Sequence, residues 1–483
     1  MSRRIRPYRF RRAAPLRPAE WGRWLGRRPP ADPALGPAAP PPAVRNQFAL
    51  LRTGRFLPLF LVQFLGAFND QVYQKAFVAL VTYRLAEQAG VSVAMLGVIA
   101  SGLFILPFAL VTPTAGQIAD RVDKARMMIA VKAWEVVVMA LAVVGFWSQS
   151  IVFLYFVLFL MGCQSAVFAP VKYSVLPQYL HRAELMGGNG LVQGSTFLAI
   201  LFGSIIGNEL ILTDRGVAAI SVIVVGVALA GLAAALTAPS APPRELPRRP
   251  IDWVFPRAIW HLVGRVRGNR PAFRAVLAIA WFWFLGGTFL SLLPAYAKEA
   301  LGADETVLTA LLAAFSIGVA IGAGLSNRLS GGAVTPRLPP WGALGLAVMA
   351  VELWLATPAE PPATLMDRAA FFADPAAWRI LIDFVLIAAC AGIYVTPLNA
   401  ILQVEAEDGR RAQYIAASNV VDASGMVLSA FAVGLLIALG VEPTNVLVLL
   451  TLTGLPVALL VARHAPETRI GRAALVLWPR GPV

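Results

Sequence analysis

The sequence predicts an all-α polytopic membrane protein, with twelve transmembrane helices arranged as two pseudo-symmetric six-helix bundles. Three observations lead there. Of 483 residues, 58% are hydrophobic and 14% charged, with a mean hydropathy of +0.69, whereas a soluble domain averages about 25% charged. The apolar residues gather into windows long enough to cross hydrocarbon. Polar signatures of the first half also recur in the second at an almost constant offset.

In chain order the windows are 56–81, 93–112, 127–147, 150–170, 190–212 and 217–237, then 273–297, 305–326, 341–356, 378–400, 413–439 and 443–463. Only 341–356 falls short of the usual ~17–25 residues. Basic residues are retained on the cytoplasmic side of a membrane. Placing the N-terminus inside puts 34 of the 41 Lys and Arg on that side, and leaves only Arg84, Arg215, Lys298, Arg368 and Arg379 outside. Both termini are therefore expected in the cytoplasm. The expected organisation is a basic Pro/Arg-rich tail (1–55), a six-helix bundle (56–237), a basic linker (238–272), a second bundle (273–463) and a tail (464–483). The first tail reads either as disordered chain that touches anionic lipid or as sequence upstream of a true start near Asn46. Within the linker, Trp253 to Val266 fits either an amphipathic helix on the inner surface or a plain solvated connection.

The net charge of +15 does not point to nucleic acid, because it sits in short connections and never alternates with aromatics. Cys163 and Cys390 lie in apolar windows and read as buried thiols. No metal or cofactor site is expected.

The repeat lies in the fourth and fifth spans against the tenth and eleventh. "APVKYSVLPQ" (169–178) answers to "TPLNAILQ" (396–403), and "GGNGLVQGST" (187–196) to "AASNVVDASG" (416–425). Between the second and third spans stands "GQIADRVDKAR" (116–126), with a worn copy at "AGLSNRLSGGAVTPR" from Ala323. Gly116 permits close helix approach. Asp120 can pair with a basic side chain or a neighbouring helix N-terminus, and Arg121 and Arg126 anchor the inner face.

Duplicated six-span halves with this loop motif resemble the major facilitator superfamily. Within it the chain resembles the lysophospholipid transporters, through "FLGAFND" (64–70), "GQIAD", "APVKYSVLPQ", "NGLVQGST", "WFWFLGGTFLSLLPAYAKEALGADE" (281–305), "TPLNAILQ" and "SNVVDASGM" (418–426). The resemblance implies movement of lysophosphatidylethanolamine-type lipids across the bacterial inner membrane for reacylation. It also implies that the loop motif stabilises one conformation. Some members carry an arginine in the seventh span, and here "GGTFLSLL" has none. The family's fused acyltransferase, which needs a His-x-x-x-x-Asp pair, is not expected, since none of His181, His261 and His464 fits. The protein is thus expected to be a monomeric, non-enzymatic transporter, with a separate acyltransferase as an optional partner.

A charge at bilayer depth is costly and calls for a function or a partner. Gln63, Gly66, Ala67, Asp70 and Gln74 share one helix stripe, read as a polar seam facing a hydrated cavity. Asp70 would take an ammonium or a coupling cation, or would pair within the bundle; its neighbour Asn69 joins the candidate substrate set. Lys75 either snorkels to the outer boundary or binds phosphate. Asn189 and Gln193 share a face, as do Asn419 and Asp422. These four, with Asn399, would bind the glycerol-phosphate region or lace helices together. Lys172 is expected at the inner interface, and Lys132 with Glu135 as a mutual pair. Gly203 and Gly207 read as helix packing. A tailed substrate also calls for a cleft open sideways to lipid. Two alternatives share parts of this evidence: a proton-coupled amphiphile exporter and a non-transporting scaffold for an acyltransferase.

Overall fold

A computed structural model describes residues 46–85, 93–243, 250–360 and 365–462. The expectations for most of the two tails and for 244–249 lie outside the described residues.

A short 3-10 turn, Gln47–Arg52, leads into α1 (Leu57–Arg84). Then come α2 (Val93–Leu110), α3 (Thr112–Ala119), α4 (Lys124–Ser148), α5 (Ile151–Tyr179), α6 (Leu185–Ile211) and α7 (Gly216–Leu236). The linker forms α8 (Phe255–Gly268). The second half holds α9 (Arg270–Ala295), α10 (Glu305–Leu329), α11 (Pro339–Ala356), the short α12 (Arg368–Ala373), α13 (Pro375–Glu405), α14 (Arg411–Ala438), α15 (Pro443–Leu452) and α16 (Gly454–Ala462).

Ten of these stretches are long and apolar enough to span a membrane, and an eleventh is the pair α2 and α3, bent by 44°. Pro113 lacks the N–H that would continue the ladder across Val111, which explains the break. Helix α1, expected as the first span, has the length with 28 residues but falls outside that count, since Asn69, Asp70, Gln71 and Gln74 lower its hydropathy. Local chemistry sets the starts: Asp123, Asp304 and Asp374 cap α4, α10 and α13 by accepting backbone N–H groups.

Helices α5 and α13 run past their expected ends. Pro170 and Pro397 sit inside them, so the repeated motifs lie on continuous helix. Lys172 lies on this continued helix, half-buried and within electrostatic reach of Asp70.

The second half has one continuous apolar core, around Phe282, Phe384 and Tyr394. The first half has two, one around Tyr73, Phe77 and Phe146 and one around Phe56, Met128 and Val175. Glycines let the helices approach closely. A Cβ at Gly207 would stand 2.5 Å from the Val72 carbonyl on α1, one at Gly392 would stand 2.5 Å from the Val319 carbonyl, and one at Gly322 would overlap the Ala389 carbonyl. Gly203 and Gly207 thus pack α6 on α1.

Gly322→Val would force α10 away from α13. Overpacking costs about 1–3 kcal/mol where neighbours can yield, and here the neighbour is backbone. We expect a lower unfolding temperature of the detergent-solubilised protein and reduced membrane yield.

Candidate functional site

The hydrogen bonds that join the halves cluster at the end of the bundle where the linker lies. Asp120, directly after α3, is 7% exposed. Its carboxyl accepts the backbone N–H of Ala412 (2.9 Å) and of Gln413 (3.1 Å), and the Gln413 side-chain amide (3.2 Å). These donors lie in the first turn of α14, so the aspartate acts as a cap supplied from the other half. Gly116 allows the approach: a Cβ there would lie 2.5 Å from Ala416 Cβ. The linker completes the junction. Arg265 donates to Gln413, and Gln117 exchanges hydrogen bonds with the Asp252 backbone. Arg121 is half-buried and Arg126 exposed beside this loop.

Asn189 donates to Gln403 Oε1 (2.9 Å), and Gln403 returns a bond to Asn189 Oδ1 (2.7 Å). Asn189, expected either at substrate or in helix lacing, makes this cross-half pair in the described arrangement. Gln47, ahead of α1, donates to the Gly324 carbonyl at 3.1 Å, while Arg55 holds the same segment to Glu184 on the first half at 2.5 Å. Burial pushes the Asp120 carboxyl up to about 6, against the pull of its N–H partners. Its raised value favours the joined arrangement below the ordinary carboxylate pKa, and that increment is lost as pH rises through about 6. At neutral pH the lock rests on the donated hydrogen bonds.

A polar layer separates the two apolar cores of the first half. Lys132 and Glu135, 0% and 1% exposed, meet at 2.5 Å. Asn69 donates to Glu135 Oε1 (3.1 Å) and to the Val224 carbonyl (3.1 Å), and Gln164 to Glu135 Oε2 (3.0 Å). Ser165 then links Gln164 to Asp70, donating to Asp70 Oδ2 at 2.5 Å. Gly66 leaves room for the Lys132 ammonium, since a Cβ there would sit 2.6 Å from Nζ.

The expected seam on α1 is thus divided. Gln63 bonds Ser195 and Thr196 on α6, Gly66 backs onto Lys132, and Asn69 turns into the bundle toward Glu135 and Val224. Gln74 lies half-buried beside Gln71. Lys75 is half-buried and outside the cleft described next.

Next to the gate, between the halves, is a cleft with about 360 Å³ of atom-free space, part of it open solvent. Tyr173, Gln193, Trp283, Asn399, Asn419 and Asp422 line it. Four expected site residues, from α6, α13 and α14, therefore come together here. Tyr173 donates to Gln193 (3.0 Å) and Asn399 to the Val395 carbonyl (3.2 Å). Asp70 and Lys172 belong to the adjoining surface, with the Lys172 ammonium 4.8 Å from the Tyr173 ring centre. Tyr173 and Trp283 were missed in the sequence. The position next to Lys172 in the repeated motif was the available signal for Tyr173; Trp283 looked like any lipid-facing aromatic.

Two bundles joined through a loop carboxylate, with a polar cleft at their border, define a facilitator-type membrane transporter. The chain belongs to the Major Facilitator Superfamily, whose family model matches residues 59–430. It is 28% identical over 380 residues to the lysophospholipid transporter LplT of Serratia proteamaculans, covering 77% of this chain and 86% of that one. It is 27% identical to LplT of Citrobacter koseri, covering 88% and 95%. Among solved structures, the Escherichia coli fucose:proton symporter superposes with a TM-score of 0.61 at 16% identity, covering 84% of this chain and 97% of that one. A bacterial homologue of the iron transporter ferroportin, in an outward-facing state, gives 0.58 at 16%, covering 83% and 98%. These two likenesses concern the fold.

Removing one partner of a buried ion pair costs about 3–5 kcal/mol, so Lys132→Ala should sharply lower thermal stability, and Lys132→Met with Glu135→Gln should recover most of the loss. Asp120→Ala would leave the buried Ala412 N–H without its acceptor, at about 1–3 kcal/mol, and would strip one of the two acceptors of the Gln413 N–H. Spin labels on either side of the gate should then report a longer, broader distance.

Proposed function

We propose that this protein carries lysophospholipids of the lysophosphatidylethanolamine type across the bacterial inner membrane by alternating access, so that they can be reacylated. The observation that carries the reading is the similarity, over most of the chain, to proteins named lysophospholipid transporters. The cleft between the halves is the place the fold offers for a polar head.

On this reading the expected domain division holds, with 1–55, the linker 238–272 and 464–483 in the cytoplasm. The joined end carries the basic linker and is cytoplasmic, so the described arrangement is closed to the cytosol. Helix α8 supports a surface position for the linker. Ala258, Leu262 and Val266 are buried against the bundle, while Trp260, 75% exposed, and Arg257 point away. The single acyl tail stays in hydrocarbon while the head crosses, through a lateral opening between the halves. The protein works as a monomer and passes its cargo to a separate acyltransferase. The candidate substrate surface comprises Asp70, Gln74 and Lys75 on α1, and Gln193, Asn399, Asn419 and Asp422 in the cleft. Gly116, Asp120, Arg121 and Arg126 work the gate.

The test is uptake of labelled lysophosphatidylethanolamine by spheroplasts, with and without a protonophore. We expect uptake that requires this protein and falls about tenfold or more in Asp70→Asn, the loss of one charge-assisted contact, with unfolding temperature unchanged. Absence of lipid uptake together with proton-driven dye efflux would identify an amphiphile exporter. A lipid phenotype indifferent to Asp70→Asn would identify a scaffold.

A further inference from the structure

We propose that the segment ahead of α1 is a second latch of the gate, with Gln47 as its tip, and that this tip leaves the second half whenever the joined end opens. The inference rests on the alternating-access part of the reading above and adds a moving part to it. It does not depend on which lipid is carried.

The 3-10 turn Gln47–Arg52 and the residues after it belong to the first half by their packing. Leu50 is buried in the apolar core of Phe56 and Leu59. The Arg55 guanidinium holds Glu184 at 2.5 Å and the Tyr179 carbonyl at 2.7 Å. Gln47 reaches the other way. Its side chain, 6% exposed, enters a niche between α6 of the first half and α10 of the second. Glycines keep the niche open. A Cβ at Gly187 would stand 2.9 Å from Gln47 Cβ, and one at Gly190 would stand 2.5 Å from the Ala323 carbonyl and 3.6 Å from Gln47 Oε1. Across the niche, Gln47 Nε2 donates to the Gly324 carbonyl at 3.1 Å, and a Cβ at Gly324 would touch the same nitrogen at 3.4 Å. One wall thus comes from each half.

The seating is incomplete. Gln47 Oε1 is one of seven buried side-chain atoms without a hydrogen-bond partner among the described residues. The other six, on Asn69, Asp70, Asp383, Thr396, Asn419 and Asp422, belong to the long helices α1, α13 and α14 and move only with them. Gln47 sits in a six-residue turn, which can shift without breaking a long helix. On leaving the niche its amide gives up one neutral hydrogen bond, and water then answers both of its ends. The tip is therefore weakly held, and its release is readily reversed. The two closures also lie on different seams. Asp120 joins α3 to α14, whereas Gln47 joins the first half to α10 beside α6. Opening the joined end parts α6 from α10 and splits the niche. Because Leu50 and Arg55 tie the turn to the first half, it travels with α6, and Gln47 is drawn off Gly324.

The experiment measures distances between spin labels on the full-length protein in nanodiscs, with Cys163 and Cys390 replaced by alanine. One pair, Arg182→Cys with Arg328→Cys, spans the joined end; the other, Asp214→Cys with Glu360→Cys, spans the opposite end, and all four positions are exposed. Each pair is read in the otherwise unchanged protein, in Gln47→Ala, in Gln47→Glu and in Asp120→Ala, with thermal unfolding measured alongside. Gln47→Ala should raise the ratio of long to short distances at the joined end about two- to tenfold, the range of one neutral hydrogen bond. The opposite end should shorten in step, as rocking of the halves requires, at an unchanged unfolding temperature. Gln47→Glu, which sets a carboxylate against the Gly324 carbonyl, should do at least as much. Distances unmoved in both Gln47 variants, or both ends widening together, would make the turn a static brace and overturn the latch. Reciprocal movement in Asp120→Ala would in that case leave alternating access standing. Reciprocal movement in none of the variants would overturn alternating access and the latch with it.

Discussion

The ion pair of Lys132 and Glu135 is the constraint around which the first half is built. Hydrocarbon offers no hydrogen-bond partner, so each polar group at this depth must be answered by another part of the protein. Glu135 is answered by Lys132, Asn69 and Gln164. Those partners come from α1, α4 and α5, which fixes the rotation of three helices at once. Gly66 and Gly231 clear the volume that the lysine occupies. The apolar core is split in two as a result, and α1 carries too much polarity to look like an ordinary span. Among the described residues the second half packs as one core.

Most polar side chains of the layer and of the gate are matched: the Asn189 and Gln403 amides exchange bonds, and Asp120 caps a helix. Single atoms are left over in each region, Asn69 Oδ1 and Asp70 Oδ1 in the layer, Gln47 Oε1 beside the gate, and Asp422 Oδ1 and Asn419 Nδ2 in the cleft. The matched polarity orders helices.

Most of the fold was legible in the sequence, because span length and hydropathy are strong signals in a bilayer. The observed helices follow the expected windows, and the departures have causes. The windows ending at 170 and 400 stop short, because both helices run on past the prolines at 170 and 397. The site was legible only in part. Gln193, Asn399, Asn419 and Asp422 share one cleft, and the repeat had singled them out. Asn69 and Asn189 looked equivalent to them and are spent on Glu135 and Gln403. One helix wheel cannot tell these cases apart, since the difference lies in what the neighbouring helix presents. Gln63 and Asp70 share a stripe on α1 but meet different helices, α6 and α5, because side chains on one stripe diverge once neighbours cross it at an angle.

The gate lock is chemically lopsided: one side contributes a particular carboxylate, the other mainly main-chain amides at the start of α14. Any residue except proline at positions 412 and 413 presents the same amide hydrogens. The receiving side can therefore drift in identity without unfastening, provided residue 412 stays small enough to lie against Gly116. The aspartate has no comparable freedom. Lineages of this chain should accordingly tolerate change at 413 far more readily than at 120, an asymmetry that arises from which atoms make the contact.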